Sequence, residues 1–171
     1  MHTSVFLLAA LAAAAPAPED KAPAPAWDLE LPNLPNYALT FQPPVVAKGD
    51  PPVAYRQAAR YEWTGNDLRI ATLTLARDPE FKTKYAAEAL KKEGAKEIMV
   101  DKKSGWMREP RGEGIEKVRE FILPLADDKA VVIEGRANFR EADIQKLAGQ
   151  LDLDAIAKAL DKPPRKPGAG K

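Results

Sequence analysis

The chain has 171 residues, with 26 Lys and Arg against 25 Asp and Glu, for a formal charge of +1. Such a balance creates no strong long-range field, which argues against nucleic acid as a partner. Cysteine is absent and His2 is the sole histidine, which excludes disulfides, a lipid-bearing cysteine, a cysteine nucleophile and the usual Cys/His zinc sites.

Val5 to Ala15 reads VFLLAALAAAA. A membrane-spanning helix takes about 20 apolar residues, so this run is too short to be an anchor. It matches the apolar centre of a secretory signal, with small residues for cleavage between Ala14 and Ala15. Residues 1–15 are therefore expected to be an export signal, leaving no transmembrane segment in the mature protein. The alternative is an apolar strand or helix retained in the fold, but the APAPEDKAPAPA that follows gives it nowhere to pack. Removing the signal also removes His2, and with it any Ser-His-Asp triad and the side chain best suited to proton transfer near neutral pH.

Proline fixes φ and lacks an amide donor. Residues 16–36 accordingly read as a proline-rich tether and domain edge, with Trp27, Leu29, Leu31 and Leu34 available to pack. A single domain is expected over 37–161, followed by a disordered basic tail over 162–171 (KPPRKPGAGK).

Within that domain the elements alternate. Tyr37 to Phe41 suits a half-buried strand, and Gln42 to Pro52 reads as a proline-rich loop. Val53–Trp63 and Leu68–Ala76 form a hairpin across the turn residues Thr64 to Asp67. In the returning strand Leu68 and Ile70 share one face while Leu73 and Leu75 share the other, which requires either a bulge or cover on both faces. Asp78, Pro79 and Glu80 suit the start of a helix carrying Phe81, Tyr85, Ala89 and Leu90 and ending at Gly94. Two short strands follow, Glu97–Asp101 and Gly105–Glu109, joined by Lys102 to Ser104. After the loop 110–114, Val118–Leu125 and Ala130–Ala137 form the longest hairpin across Asp127 and Asp128. Phe139 to Leu160 is helical, broken at Gly149 and recapped by Asp152. The fold class is α+β: a hairpin-rich antiparallel sheet of about five to seven strands with two main helices packed on it.

This order resembles the PsbP-like family, relatives of the extrinsic photosystem II subunit P. The resemblance is carried by the opening strand Tyr37–Phe41, by ATLTL (71–75) running into DPEF (78–81), and by the turn ADDK (126–129) before AVVIEGRA (130–137). It spans Tyr37 to Leu160 at the level of topology. It implies that fold and a non-enzymatic envelope protein that binds a larger partner. Gln42, Pro43 and Pro44 stand where that family has a tryptophan, and no functional residue is carried over.

Catalytic patterns are sparse. Ser104 beside Lys102 and Lys103 reads as a turn before it reads as a Ser-Lys pair. Gly112-Glu113-Gly114 reads as a flexible loop, since a phosphate cradle needs a helix to follow. The pairs Asp127/Asp128 and Asp152/Asp154 suit a turn and a helix cap, with a calcium or acid-pair role as the alternative. No cofactor or metal pattern occurs. Tyr61, Trp63 and Trp106 are the remaining positive signal: core packing by default, or a stacking surface for a glycan or apolar ligand. The expectation is an exported, periplasmic or cell-surface binding module without catalytic activity. Its partner would be an envelope protein or an apolar or glycan ligand, and its basic tail could contact anionic surfaces weakly. The alternatives are a carboxylate-dependent hydrolase of envelope polymers and a structural subunit of an envelope assembly.

Overall fold

The computed structural model describes residues 24–49, 51–100 and 102–165. The segment read as an export signal, most of the tether and the end of the basic tail lie outside those residues. The described chain is an α+β fold built on one antiparallel sheet. Its strands are β1 (Tyr37–Phe41), β2 (Val45–Val46), β3 (Tyr55–Trp63), β4 (Arg69–Arg77), β5 (Lys96–Val100), β6 (Lys103–Met107), β7 (Val118–Ala126) and β8 (Lys129–Ala137). Four short helices complete it: α1 (Phe81–Lys84), α2 (Ala87–Lys92), α3 (Glu141–Ala148) and α4 (Leu153–Ala159). Across the sheet the order is β1-β3-β4-β8-β7-β6-β5, and β2 lies beside β3 beyond the end of β1.

The two long hairpins form as their sequences dictate. Asp127 and Asp128 make the turn between β7 and β8, with Phe121 opposite Ile133 and Leu123 opposite Val131. β3 and β4 pair in unbroken register, Ala59 opposite Leu73 and Tyr61 opposite Ala71. No bulge shifts β4: Ala71, Leu73 and Leu75 are buried on one face, while Ile70 is half-buried on the other and Leu68 is exposed.

Three expectations need correction. The loop 42–52 contains β2, an edge strand of two residues between Pro43-Pro44 and Pro51-Pro52. Prolines are tolerated beside an edge because no further strand needs their missing amide. β6 begins at Lys103, so Lys103 and Ser104 are strand residues and not part of a turn over 102–104. Lys102 has φ +66°, the left-handed conformation that a tight hairpin turn demands. Gly105 is thus a mid-strand residue, and a Cβ there would come within 2.2 Å of Cζ of the fully buried Phe121.

The helix read as continuous from Asp78 to Gly94 is two helices. Asp78 accepts the Glu80 amide through its side chain and the Phe81 amide through its carbonyl (2.9 and 3.0 Å). The chain then extends at Ala86 (ψ 140°) before α2 begins. This step buries both Tyr85 and Leu90 and brings Glu93 to Arg108. The later break occurs as expected: α3 ends at Ala148, and Asp152 caps α4 by accepting the Ala155 amide at 2.9 Å.

One face of the sheet, the inner face, carries the larger core. Tyr61, Leu73, Ile133 and Phe121 are fully buried there, under Ile144 and Leu147 of α3 and Ile156 of α4. Each such burial contributes about 1.5–3 kcal/mol relative to exposure. Gly135 lets α3 approach, since a Cβ at that position would lie 2.9 Å from Ile144 Cδ1.

The chain ends close this core. Ala26, Trp27 and Leu34 are buried in it, so the domain begins earlier than residue 37. Buried Gln57 accepts the Ala26 amide (2.7 Å) and donates to the Ala24 and Gln42 carbonyls (3.0 Å each). The Trp27 indole donates to the Lys162 carbonyl (3.0 Å), the Arg165 amide to the Ala26 carbonyl (3.0 Å), and Tyr55 Oη to the Leu160 carbonyl (2.6 Å). Residues 162–165, read as the start of a free tail, are part of this strap.

Candidate functional site

The three aromatic residues singled out as a possible ligand surface do not come together. Tyr61 is 0% exposed on the inner face, and its buried hydroxyl has no hydrogen-bond partner. Burial pushes its pKa well above the ordinary tyrosine value. Trp106 is 3% exposed on the opposite, outer face, packed with Leu90 and Ile122. Trp63 is half-buried at the end of β3, edge-on to Tyr37 at 5.1 Å with the Arg69 guanidinium 5.1 Å above it. Tyr61 and Trp106 therefore present no ring face to a ligand.

The other candidate residues hold structural partners. Ser104 lies on β6 and donates to Glu97 Oε1 at 2.6 Å, while Lys103 pairs with Asp154. Asp128 accepts from Arg77 Nε at 2.6 Å, and Asp127 lies 3.4 Å from Lys82. Gly112 and Gly114 both take positive φ in the loop before a 3₁₀ turn, Gly114–Glu116. Among the described residues no cluster of carboxylates and histidine is arranged to hold a metal ion. No described helix is long and apolar enough to cross a membrane.

The concavity lies instead on the outer face. Strand registers set its rows. One row runs Thr40, Arg60, Thr72, Glu134, Glu120; the next holds Ala58, Thr74, Val132 and Ile122; a third begins Arg56, Ala76. Over β6 to β8, α1 and α2 cover this face with Tyr85 and Leu90 against Trp106, Ile122, Ala130 and Val132. Among the described residues no helix lies over β3 and β4. Ala58, Thr72 and Thr74 are short and only half-buried there, so they form a floor between the longer Arg56, Arg60, Glu134 and Arg136.

Two adjoining hollows result, of about 590 Å³ and 480 Å³, sharing Val45, Arg56, Thr74 and Glu134. Both volumes fall in the ~300–1,000 Å³ range of small-molecule sites. The larger sits between Arg60, Arg136 and the Gln42–Pro43 corner, where three arginines face one glutamate. The smaller runs toward α1, where Arg56, Arg77 and Lys84 are matched by Asp78, Glu120 and Glu134. Its lining is about evenly polar and apolar, the apolar part coming from Val45, Ala47, Ala54, Ala76, Phe81 and Val132. Together they form one trough.

Ion pairing leaves the two ends unlike. Arg108, its side chain 10% exposed, holds Glu120 and Glu93 at 2.7 Å each. Burial alone would lower its pKa, but those two carboxylates more than offset this and raise it. At the other end Arg60 reaches Glu62 at 3.2 Å and Arg136 reaches Glu134 at 3.8 Å, in half-exposed pairs. Pairs of that kind contribute about 0–1 kcal/mol and are readily exchanged for another anion. Arg56 has no ion-pair partner among the described residues, and the buried Nε of Arg60 has no acceptor.

Alternation along β3 places Arg60 and Glu62 on the face opposite Tyr61, but does not by itself mark a trough. The available signal was a small residue between two arginines, Arg56-x-Ala58-x-Arg60, opposite Thr72 and Thr74. No protein-family model matches the chain, and no curated protein or solved structure matches it either.

Proposed function

We propose that the protein is an exported, non-enzymatic binding module of the cell envelope and that the outer trough is its ligand face. The observation that carries this reading is the unequal cover of the outer face, packed under α1 and α2 on one half and left as a floored, arginine-rimmed trough on the other. The export signal, the proline tether and the lack of histidine and cysteine in the mature chain supply the location and argue against catalysis.

A photo-crosslinking residue at Ala58, on the trough floor, tests the reading against one at Glu88, on the exposed side of α2. In protein recovered from its own envelope fraction, adducts from Ala58 and not from Glu88 support the trough. Equal labelling at both overturns it. The hydrolase alternative rests on Glu120 and Glu134, which face each other across β7 and β8. Arg108 already engages Glu120, Arg136 reaches Glu134, and Asp78, the third acid of that hollow, accepts the Glu80 amide, so each acid has a structural partner.

A further inference from the structure

We infer that the trough takes a single-chain anionic amphiphile, its acidic headgroup over Arg56, Arg60 and Arg136 and its apolar chain along the hollow beside α1. This rests on the reading of the trough as the ligand face and adds the class of ligand. The two hollows divide the labour between them.

In the larger, three arginines meet Glu134 in the lining and Glu62 beside Arg60, which leaves Arg56 as the cationic surplus. Guanidinium groups bind carboxylate and phosphate through paired, charge-assisted hydrogen bonds. Arg56 is free of ion pairs among the described residues, Arg60 is held by a half-exposed pair with Glu62 at 3.2 Å, and Arg136 only by a 3.8 Å contact. Thr72 and Thr74 add hydroxyls to the floor.

In the smaller hollow cations and carboxylates balance, and the pairs Arg77–Asp128 and Arg108–Glu120 fix several of them in place. An anion gains nothing there, whereas an apolar chain gains contact with Val45, Ala76, Phe81 and Val132. Val45 belongs to both hollows and is 55% exposed. It stands at the junction where head would meet chain. A polyanion would need cationic surplus along the whole trough, and an uncharged apolar ligand would leave the arginine end unused.

The test uses the mature full-length chain and monomeric probes below their micellar concentrations: laurate, dodecyl phosphate and, as the uncharged control, dodecyl maltoside. Amide chemical shifts locate binding and calorimetry measures it. Laurate and dodecyl phosphate are expected to bind with perturbations at Val45, Arg56, Ala58, Thr74 and Val132, and at least tenfold more tightly than the maltoside. The double variant Arg60→Gln/Arg136→Gln should lose at least tenfold in affinity for the anionic probes and none for the maltoside, with unchanged melting. Val45→Asp should weaken all three.

Equal affinity for all three probes in the trough overturns the headgroup assignment and leaves the trough standing. Perturbations confined elsewhere, or no binding at all, overturn the amphiphile. If they are accompanied by equal crosslinking at Ala58 and Glu88, the ligand face falls as well. Capture by phosphatidylglycerol vesicles, but not phosphatidylcholine vesicles, without binding of the monomeric probes would show a membrane surface in place of a bound molecule, and would also overturn it.

Discussion

Over β6 and β7 the outer face of the sheet carries Trp106 and Ile122, both buried under α1 and α2. Over β3 and β4 the same face carries Ala58, Thr72 and Thr74, which no described helix covers. Both halves obey one rule of alternation, since every second residue of a strand points to this side. What differs is the size and polarity of the residue at each outward position. Large apolar side chains must be covered to be stable, and they attract a helix. Small or hydroxylated ones carry no such demand, and beneath taller neighbours they leave depth. The contrast teaches that an unfilled part of a sheet face can be specified by sequence as firmly as a core.

The sharpest way to break this comparison is Trp106→Ala. If the covered half is true core, unfolding free energy should fall by about 3–5 kcal/mol in urea denaturation. A fall below about 1 kcal/mol would mean that α1 and α2 rest only loosely on the sheet. Next comes Gly105→Ala, on β6 but facing inward, where the new methyl meets the ring of Phe121. Overpacking of this kind costs about 1–3 kcal/mol; a neutral effect in thermal melts would show that the inner face yields.

Tyr61→Phe sharpens the contrast from the inner side. Its hydroxyl is buried without a partner, so deletion should be neutral or stabilising by about 1 kcal/mol. Its pKa is raised by burial, so the folded protein keeps a proton that the unfolded chain releases. Stability is therefore unaffected below the ordinary tyrosine pKa of about 10 and falls as pH rises above it. Denaturation at pH 9 and pH 11 should show a smaller alkaline loss in Tyr61→Phe than in the parent. The smallest effect belongs to the open half: Thr74→Ala should change stability by no more than about 0.5 kcal/mol. A larger loss in the same melts would show that the trough floor is structural.

Sequence pattern sufficed where short-range chemistry decides the outcome. Asp127-Asp128 makes its turn, Asp152 caps its helix, and alternation put Phe121 and Leu123 on the same face as Val131 and Ile133. It fell short where the deciding neighbour is distant. Gly105 is glycine because the Phe121 ring, from another strand, fills the place of a side chain. Phe81, Tyr85, Ala89 and Leu90 fit one continuous helix, but the chain breaks at Ala86 to bury both Tyr85 and Leu90. The trough was illegible for the same reason. Its floor is assembled from Ala58, Thr72 and Thr74 on two adjacent strands, and its open side is defined by which helices lie elsewhere.

The strap gives the module a mechanical character. Where the chain enters at Ala26 and where it leaves at Arg165 lie side by side, joined amide to carbonyl at 3.0 Å. Tension between the two ends would not stretch the sheet along its strands. It would act on the strap, on the bonds of Arg165 to Ala26 and of Lys162 to Trp27, and would reach the sheet through Gln57 of β3, which holds Ala24 and Ala26. A domain held from both sides in this way takes the load first at its seam.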